Sequence, residues 1–316
     1  MTKTIIDKST SLLKNKWVTL TILFSMMILS LLYSDEISHS VRSGLSICAS
    51  VIIPSVFPFI IFSDFLHSTV DFSSLKYLGA LFEKTFKINR TGLCPFLLGI
   101  LCGFPLGVKS AAELYRNGRL SKDEAERLIG FSNNTGPAFL VSGIGLGLRG
   151  YIEDGIVLYI TMVLSSIMVG FIFSLKSKAN LSREYSIKTH NFSLTSSIKN
   201  AGFNTLTICS FLTFFACFCG LLRKMLGESY LYLIIIPFLE VGSATSILSK
   251  TALLTERISL TLSAFAVSFS GFSVHMQALS FLCDTDIGYS KYFLMKFFQG
   301  IIAAALTYFI YPILLI

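Results

Sequence analysis

The stretch LIGFSNNTGPAFLVSGIGLG, residues 128–147, is apolar and long enough to cross a bilayer, but polar residues, glycine and proline interrupt it at 132–137. A membrane-spanning helix needs about 20 mostly apolar residues. Proline breaks such a helix and frees backbone carbonyls. Because broken backbone at membrane depth is tolerated only where protein buries it or where it lines a cavity, the stretch predicts a span with an internal site.

The composition indicates a membrane protein. Of the 316 residues, 53% are hydrophobic and 14% are charged, whereas soluble domains have about 25% charged residues. The mean hydropathy is +0.70. The net charge of +8 comes from basic residues between apolar runs, which is typical of cytoplasmic loops rather than of nucleic-acid binding. We therefore expect the lipid bilayer as the surroundings, no nucleic-acid partner, and no soluble enzyme.

The fold class predicted from these runs is an all-α polytopic membrane protein. Segments 92–115 and 231–250 are interrupted near Gly103 and Glu240, and we expect each to be a re-entrant helical hairpin. About seven other segments are expected to cross as transmembrane helices: 16–33, 44–66, 128–147, 155–175, 201–222, 258–283 and 292–316.

The distribution of positive charge predicts the orientation. With both hairpins re-entrant, one side of the membrane carries 19 of the 26 Lys and Arg residues, and the opposite side carries six. Basic loops face the cytoplasm, so the N-terminus is expected inside and the C-terminus outside the cell membrane. The segments on the basic side are the N-terminus, 67–91, 116–127, 176–199 and 284–296. Because 16–33 lacks a small-residue cleavage site, we expect a retained span rather than a signal peptide.

The chain is predicted to contain two repeats of opposite orientation. In each repeat a hairpin is followed about 30 residues later by a broken span, and three crossings separate the two hairpins. Inverted repeats with broken helices are the architecture of secondary transporters. An amphipathic helix at 73–88 is expected in the interface. The expected units are a tail and first span at 1–39, a first repeat at 40–175, a basic linker at 176–199 and a second repeat at 200–316.

Two runs carry a family resemblance: GFPLGVKSAAELYRNGRLSKDEAERLIGFSNNTGPAFL (103–140) and SGFSVHMQALSFL (270–282). They resemble the YlbJ-type sporulation integral membrane proteins of the nucleoside-recognition, or Gate-domain, superfamily. The order of hairpin and broken span, twice over, is more distantly similar to concentrative nucleoside transporters. That second resemblance implies a sodium-coupled nucleoside site between two hairpin tips and two unwound spans.

The transporter resemblance implies positions for these four elements. The tips fall on 103–109 and 240–245, and the unwound spans fall on 133–136 and 271–275. Glu240 takes the place of a ribose-binding carboxylate. The first tip departs from the transporter pattern because Phe104, Pro105 and Leu106 replace its polar side chains, and residue 273 is Ser instead of Asn. The resemblance therefore implies the fold more strongly than the ligand.

Glu240 is the strongest candidate for binding a solute. A carboxylate in an apolar run costs several kcal/mol unless it has a partner, and Lys109 and His275 are candidate partners. The alternatives are a capping role or a position near the aqueous face for Glu240, a snorkelling Lys109 and a structural core His275. The full set of substrate-binding candidates is Gly103, Phe104, Lys109, Asn133, Asn134, Thr135, Glu240, Gly242, Ser243, Thr245, Ser270, Ser273 and His275.

Ion coupling is left open between Na⁺ and H⁺. Carbonyls freed near Asn133, together with Asn side-chain oxygens, could hold Na⁺, and His275 could respond to protons. The alternative is a proline kink whose polar side chains satisfy the freed groups. Seven cysteines form no CxxC pair, so we expect neither a metal cluster nor another cofactor.

We therefore predict a transporter or permease for a small polar solute. The resemblance to concentrative nucleoside transporters implies that the solute is nucleoside-like and that its transport is coupled to an ion. The association with sporulation comes from the YlbJ-type resemblance. The alternative is a non-transporting membrane scaffold or ligand sensor of a sporulation machinery. An enzyme is not expected, because the sequence offers no nucleophile–base or metal constellation. Homo-oligomerisation and sporulation membrane partners are left open.

Overall fold

The computed structural model describes residues 16–69, 75–177 and 193–314, and within these ranges the regular elements are all helices. The first half contains α1 (Lys16–Leu32), α2 (Ser34–Ile47), α3 (Ile53–Thr69), α4 (Lys76–Phe86), α5 (Leu93–Leu101), α6 (Leu106–Arg116), α7 (Lys122–Ser132), the π-helical α8 (Ala138–Arg149) and α9 (Ile152–Ser174). The second half contains α10 (Leu194–Leu226), α11 (Tyr230–Leu239), α12 (Val241–Leu248), α13 (Glu256–Phe269), α14 (Gly271–Ser280) and α15 (Tyr289–Leu314).

Five helical stretches in the described ranges are long and apolar enough to cross a membrane, which confirms the prediction of a polytopic helical membrane protein. They are Ser34–Phe62, Ile152–Ser174, Leu194–Leu226, Glu256–Ser280 and Tyr289–Pro312. Seven crossings were expected. The segment 16–33 yields a helix of 17 residues, and 128–147 is divided between α7 and α8 because residues 133–136 are not helical.

The second expected crossing begins earlier than its hydropathy indicates. Residues 34–43 are polar and were expected to lie outside the span 44–66, but α2 begins at Ser34. Asp35 and Glu36 lie in its first turn, where carboxylates are favourable because of the helix dipole. A π-helical turn, Cys48–Ile52, joins α2 to α3.

Each half contains a pair of short helices that reverses direction. In the first half α5 and α6 flank residues 102–105, and in the second α11 and α12 flank Glu240. The first pair packs directly on the end of α7. A Cβ added to Gly99 or Gly107 would lie 1.7 or 2.0 Å from the Ser132 carbonyl oxygen, so only glycine permits this approach.

Ion pairs and hydrogen bonds join several loops at one end of the bundle, here called the basic face. Arg116 pairs with Asp284 at 2.5 Å, and Lys291 pairs with Asp123 at 2.7 Å. Arg127 donates to the Phe86 carbonyl oxygen at 2.6 Å. The loops after α4, between α6 and α7, and before α15 therefore lie on the same side.

Charge pairing also affects protonation at the basic face. Burial alone would raise the pKa of Asp123, but hydrogen bonds from Lys291 and Arg127 outweigh burial and hold that pKa below its usual range. The hydrogen bond from Arg116 holds the pKa of Asp284 below its usual range as well. Both carboxylates therefore remain ionised to lower pH than free side chains.

A second set of contacts defines the opposite face. Arg149, at the end of α8, pairs with Asp154 at 2.6 Å and Glu256 at 2.7 Å, and donates to Ser259 at 2.9 Å. Ser259 donates to the carbonyl oxygen of Leu248, at the end of α12. The α5–α6 pair thus begins and ends near the basic face, whereas α12 ends at the opposite face.

The expected interfacial helix at 73–88 corresponds to α4, although residues 73 and 74 lie outside the described ranges. Phe82 and Phe86 are buried and pack in an aromatic cluster with Phe96 and Phe131. Leu81 on the same helix is 61% exposed. Residues 1–15 of the expected tail and 178–192 of the expected linker also lie outside the described ranges.

Candidate functional site

Each hairpin tip lies against the break of the span that follows it. Gly103 has a φ of +85°, and a Cβ there would lie 2.5 Å from the backbone nitrogen of Gly136. Gly271 has a φ of +61°, and a Cβ there would lie 3.3 Å from the Cα of Glu240. The two pairs of broken elements therefore repeat one arrangement, with glycine allowing close backbone approach in each.

The two tips come together around a small cavity. Phe104 of the first tip, Glu240 and Gly242 of the second, and Ser273 of α14 line a void of about 10 Å³ together with apolar side chains. A void of that size has room for about one water molecule. Phe104 is buried and is part of the lining of this void.

Glu240 is the N-cap of α12. Its side chain is 2% exposed and accepts hydrogen bonds from the backbone N–H groups of Gly242, at 2.8 Å, and Ser243. Its observed partners are therefore main-chain donors, in place of the expected Lys109 or His275. A helix start supplies unpaired N–H groups and a positive dipole end, which explains how a carboxylate is accommodated here.

Three candidates on the first broken span lie in a polar network. The Asn134 amide nitrogen donates to the Phe131 carbonyl oxygen at 2.8 Å, and Thr135 Oγ1 donates to the Val267 carbonyl oxygen at 2.8 Å. Asn133 Nδ2 donates to the hydroxyl of Tyr292 at 2.8 Å. Thr135 thus ties the first broken span to α13, the helix before the second break.

Lys296 and Gln299 of α15 complete this network, and neither was predicted as a site residue. Lys296 Nζ donates to the backbone oxygen of Asn133 and to Oε1 of Gln299, both at 2.8 Å. Gln299 Nε2 donates to Oδ1 of Asn134 at 2.8 Å. Both side chains are fully buried.

Lys296 was expected in the basic loop 284–296, and this prediction was wrong, because Lys296 is buried within α15. Removing it lowers the basic-side count from 19 to 18, still far above six. The sequence does contain a signal that places Lys296 inside a helix. Tyr292, Lys296 and Gln299 follow the i, i+4, i+7 spacing that places residues on one face of a helix, within a run already expected to cross the membrane.

His275 joins the network through Tyr292. Its Nδ1 lies 3.0 Å from the Tyr292 hydroxyl, and the ring packs edge-to-face with Phe269. Within the part of the chain that the structure describes, the Nε2 of His275 and the Oδ1 of Asn133 are buried without a hydrogen-bond partner. Unpartnered buried polar atoms are costly, so these two atoms mark positions where a ligand or water would be favourable.

The remaining candidates are placed less centrally. Ser270 has a left-handed φ of +79° and ends α13, which forms the second break. Thr245 Oγ1 donates to carbonyl oxygens of its own helix. Lys109 is half-buried on α6. Among the described residues it makes no hydrogen bond or ion pair with another candidate.

A vestibule of about 270 Å³ lies beside the second hairpin. Its walls come from α2, the end of α10, and α11–α12, and they carry side chains of both charges. One lining residue, Ser243, is also bonded through its backbone to Glu240. The polar lining includes Glu36, His39, Arg223, Glu228, Ser243 and Lys250.

Within the described residues, no group of three His, Cys, Asp or Glu side chains converges. The oxygen atoms at the first break are of the kind that binds hard cations, but the Lys296 ammonium already contacts the Asn133 carbonyl oxygen.

Comparison with known proteins identifies one informative relative. The chain is 26% identical over 314 aligned residues to the sporulation integral membrane protein YlbJ of Bacillus subtilis (strain 168), covering 83% of this chain and 74% of YlbJ. This similarity confirms the YlbJ-type resemblance. No family profile matches the chain, and no solved structure shows significant similarity to it.

Proposed function

We propose that this chain, a polytopic helical membrane protein similar to YlbJ, binds a small polar solute and moves it across the cell membrane. The observation that carries this proposal is the paired arrangement of tips and breaks. Gly103 lies against Gly136 and Glu240 lies against Gly271. Broken elements that approach each other from opposite faces are the usual setting of a transporter's substrate site.

The vestibule supplies the entrance in this proposal. It has room for a small solute and presents both acidic and basic groups, which suits a polar ligand that carries donors and acceptors. Ser243 lines the vestibule, and its neighbour Glu240 also lines the cavity between the tips. Movement of α12 would therefore connect the vestibule with the central cavity.

The proposed orientation has the basic face in the cytoplasm, the N-terminus inside and the C-terminus outside. The vestibule then opens to the outer side, because Lys250 in its lining follows the end of α12, which lies at the face opposite the basic one. The relative's name associates that protein with sporulation, and we extend the association to this chain. In this proposal the protein acts without catalysing a chemical reaction.

Ligand-dependent thermal stability tests the proposal. Purified protein would be heated with nucleosides, nucleobases and small polar metabolites, each with and without Na⁺. A ligand at about 100 times its Kd stabilises the folded state by about 2.7 kcal/mol. We expect at least one compound to raise the melting temperature, and a Ser243→Val variant to reduce that increase.

Ser249→Ala provides the matched control, because Ser249 lies at the end of the same hairpin and its hydroxyl bonds to the Ser246 carbonyl oxygen. It should respond to the ligand as the wild type does. An equal loss of response in both variants would contradict binding at the vestibule. The absence of any stabilising compound would count against solute binding and in favour of the second candidate function.

The second candidate is a non-transporting membrane scaffold or sensor of a sporulation machinery. The buried Phe104 favours it, because this ring leaves only about 10 Å³ between the tips. A scaffold needs no solute pathway. Protein partners recovered from sporulating cells, together with absent solute flux in proteoliposomes, would support this candidate over the transporter.

A further inference from the structure

Lys296 is buried without an acidic partner. Its side chain is 0% exposed, and no carboxylate lies within 4.0 Å of its Nζ among residues 16–69, 75–177 and 193–314. Its two acceptors are the Asn133 backbone oxygen and Gln299 Oε1. A buried ammonium group without a counter-ion is costly, so the ammonium form of Lys296 depends on the two oxygen atoms that it contacts.

The Asn133 oxygen belongs to the end of α7, where the chain leaves the helix. The last carbonyls of a helix have no intrahelical partner and carry the negative end of the dipole. Such carbonyls, at the break of a transporter helix, are the ligands for a coupling Na⁺. The Asn133 side-chain oxygen beside them has no hydrogen-bond partner among the described residues. Two oxygen atoms of Asn133, one in the backbone and one in the side chain, therefore favour a positive charge at the break.

We propose that the ammonium group of Lys296 is the resident cation of the first broken span and takes the place of a dissolved Na⁺. Gln299 fixes the position of the ammonium, because it accepts from Lys296 and donates to Asn134. The protein therefore requires no Na⁺ at this break. The inference bears on ion coupling in the proposed transport, but its binding test requires no transported solute.

Replacing Lys296 by Ala removes three carbons and the ammonium and leaves a space that matches propylammonium. We expect propylammonium to raise the melting temperature of Lys296→Ala by roughly 2–4 °C in a saturable manner. The neutral isostere 1-propanol should not do so. The wild type and Lys296→Met, in which the site is already filled, are the matched controls and should show no saturable increase.

Equal stabilisation of Lys296→Ala by propylammonium and 1-propanol would overturn the inference. It would show that any molecule of the right size stabilises the variant by filling the space, whether or not it carries a charge. A second measurement uses the wild type alone and so does not depend on the variant's folding. Its melting temperature should be the same in NaCl and in choline chloride at equal ionic strength. A saturable increase specific to Na⁺ would contradict the inference.

The two proposals fail in different ways. A polar metabolite that stabilises the protein only with Na⁺ would support the proposed function and refute the resident ammonium. The opposite outcome combines three results: stability that does not depend on Na⁺, rescue of Lys296→Ala by propylammonium but not by 1-propanol, and no response to any metabolite. It would support the resident ammonium and weigh against solute binding.

Discussion

Removal of the Glu240 carboxylate should destabilise the second hairpin in a graded manner. The carboxylate accepts two backbone hydrogen bonds at the start of α12, a helix of eight residues. Hydrogen bonds to charged groups contribute about 1.5–3 kcal/mol each. Because replacement by Ala also removes the cost of burying a carboxylate, we expect a net loss of about 2–4 kcal/mol for Glu240→Ala.

Glu240→Gln should be roughly half as harmful, because its amide oxygen can still accept one of the two bonds while its NH₂ group cannot accept the other. At roughly 2–4 °C per kcal/mol, the melting temperature should fall by roughly 5–15 °C for Glu240→Ala and by about half of that for Glu240→Gln. The assay is thermal unfolding of the purified protein in one detergent.

Glu153→Gln is the matched control, because Glu153 is an exposed carboxylate in the first turn of α9. It contributes about 0.3–1 kcal/mol through the helix dipole. A Glu240→Ala protein that melts at the wild-type temperature would refute the capping argument. A Glu240→Gln protein that keeps most of its stability but loses ligand response would show that Glu240 also binds solute.

Three further substitutions, the first with a matched control, test other parts of the structure. Gly99→Ala should cost about 3 kcal/mol or more of folding stability, because its Cβ would overlap the backbone oxygen of Ser132. The control Gly202→Ala has open space around the added Cβ and should be neutral or stabilising by up to about 1 kcal/mol. Equal unfolding temperatures for the two variants would contradict the packing of Gly99 on Ser132. Asp123→Asn should lower the folding stability at neutral pH and make that stability decline less steeply in acid. Ion pairs hold the pKa of Asp123 low, and the stability that they give is lost as the pH falls through that pKa, below about 4. Parallel acid-unfolding curves for the wild type and the variant would contradict this prediction. Phe104→Ser should cost about 3–5 kcal/mol and enlarge the cavity beside the second tip, so solute-induced stabilisation should increase, and unchanged stabilisation would argue against a site there.

The broken elements were predictable because their signals are local. Proline at 137, glycine at 103 and 271, and the carboxylate at 240 each interrupt an apolar run, and the structure breaks the helices at or beside each of these positions. Hydropathy alone could not tell whether Glu240 caps a helix or binds a solute. Its capping role depends on where the backbone N–H groups of Gly242 and Ser243 point.

The partner of the first break was not predictable by the same means. Lys296 is separated from Asn133 by 163 positions, and the sequence places it near the start of a span, where a lysine ordinarily reaches the aqueous face. Its burial depends on α15 packing against α7 and α9. The helical start at Ser34 was missed because residues 34–43 are polar, although their acidic first turn is a local helix signal.

Uptake from a complex mixture tests solute transport most directly. Proteoliposomes containing the wild type, Glu240→Gln or no protein would be incubated with a polar metabolite extract, and their contents would be identified by mass spectrometry. We expect the wild type to accumulate at least one small polar solute and Glu240→Gln to accumulate less. Replacing Na⁺ by choline should change neither result. Identical contents in wild-type and protein-free vesicles would contradict transport.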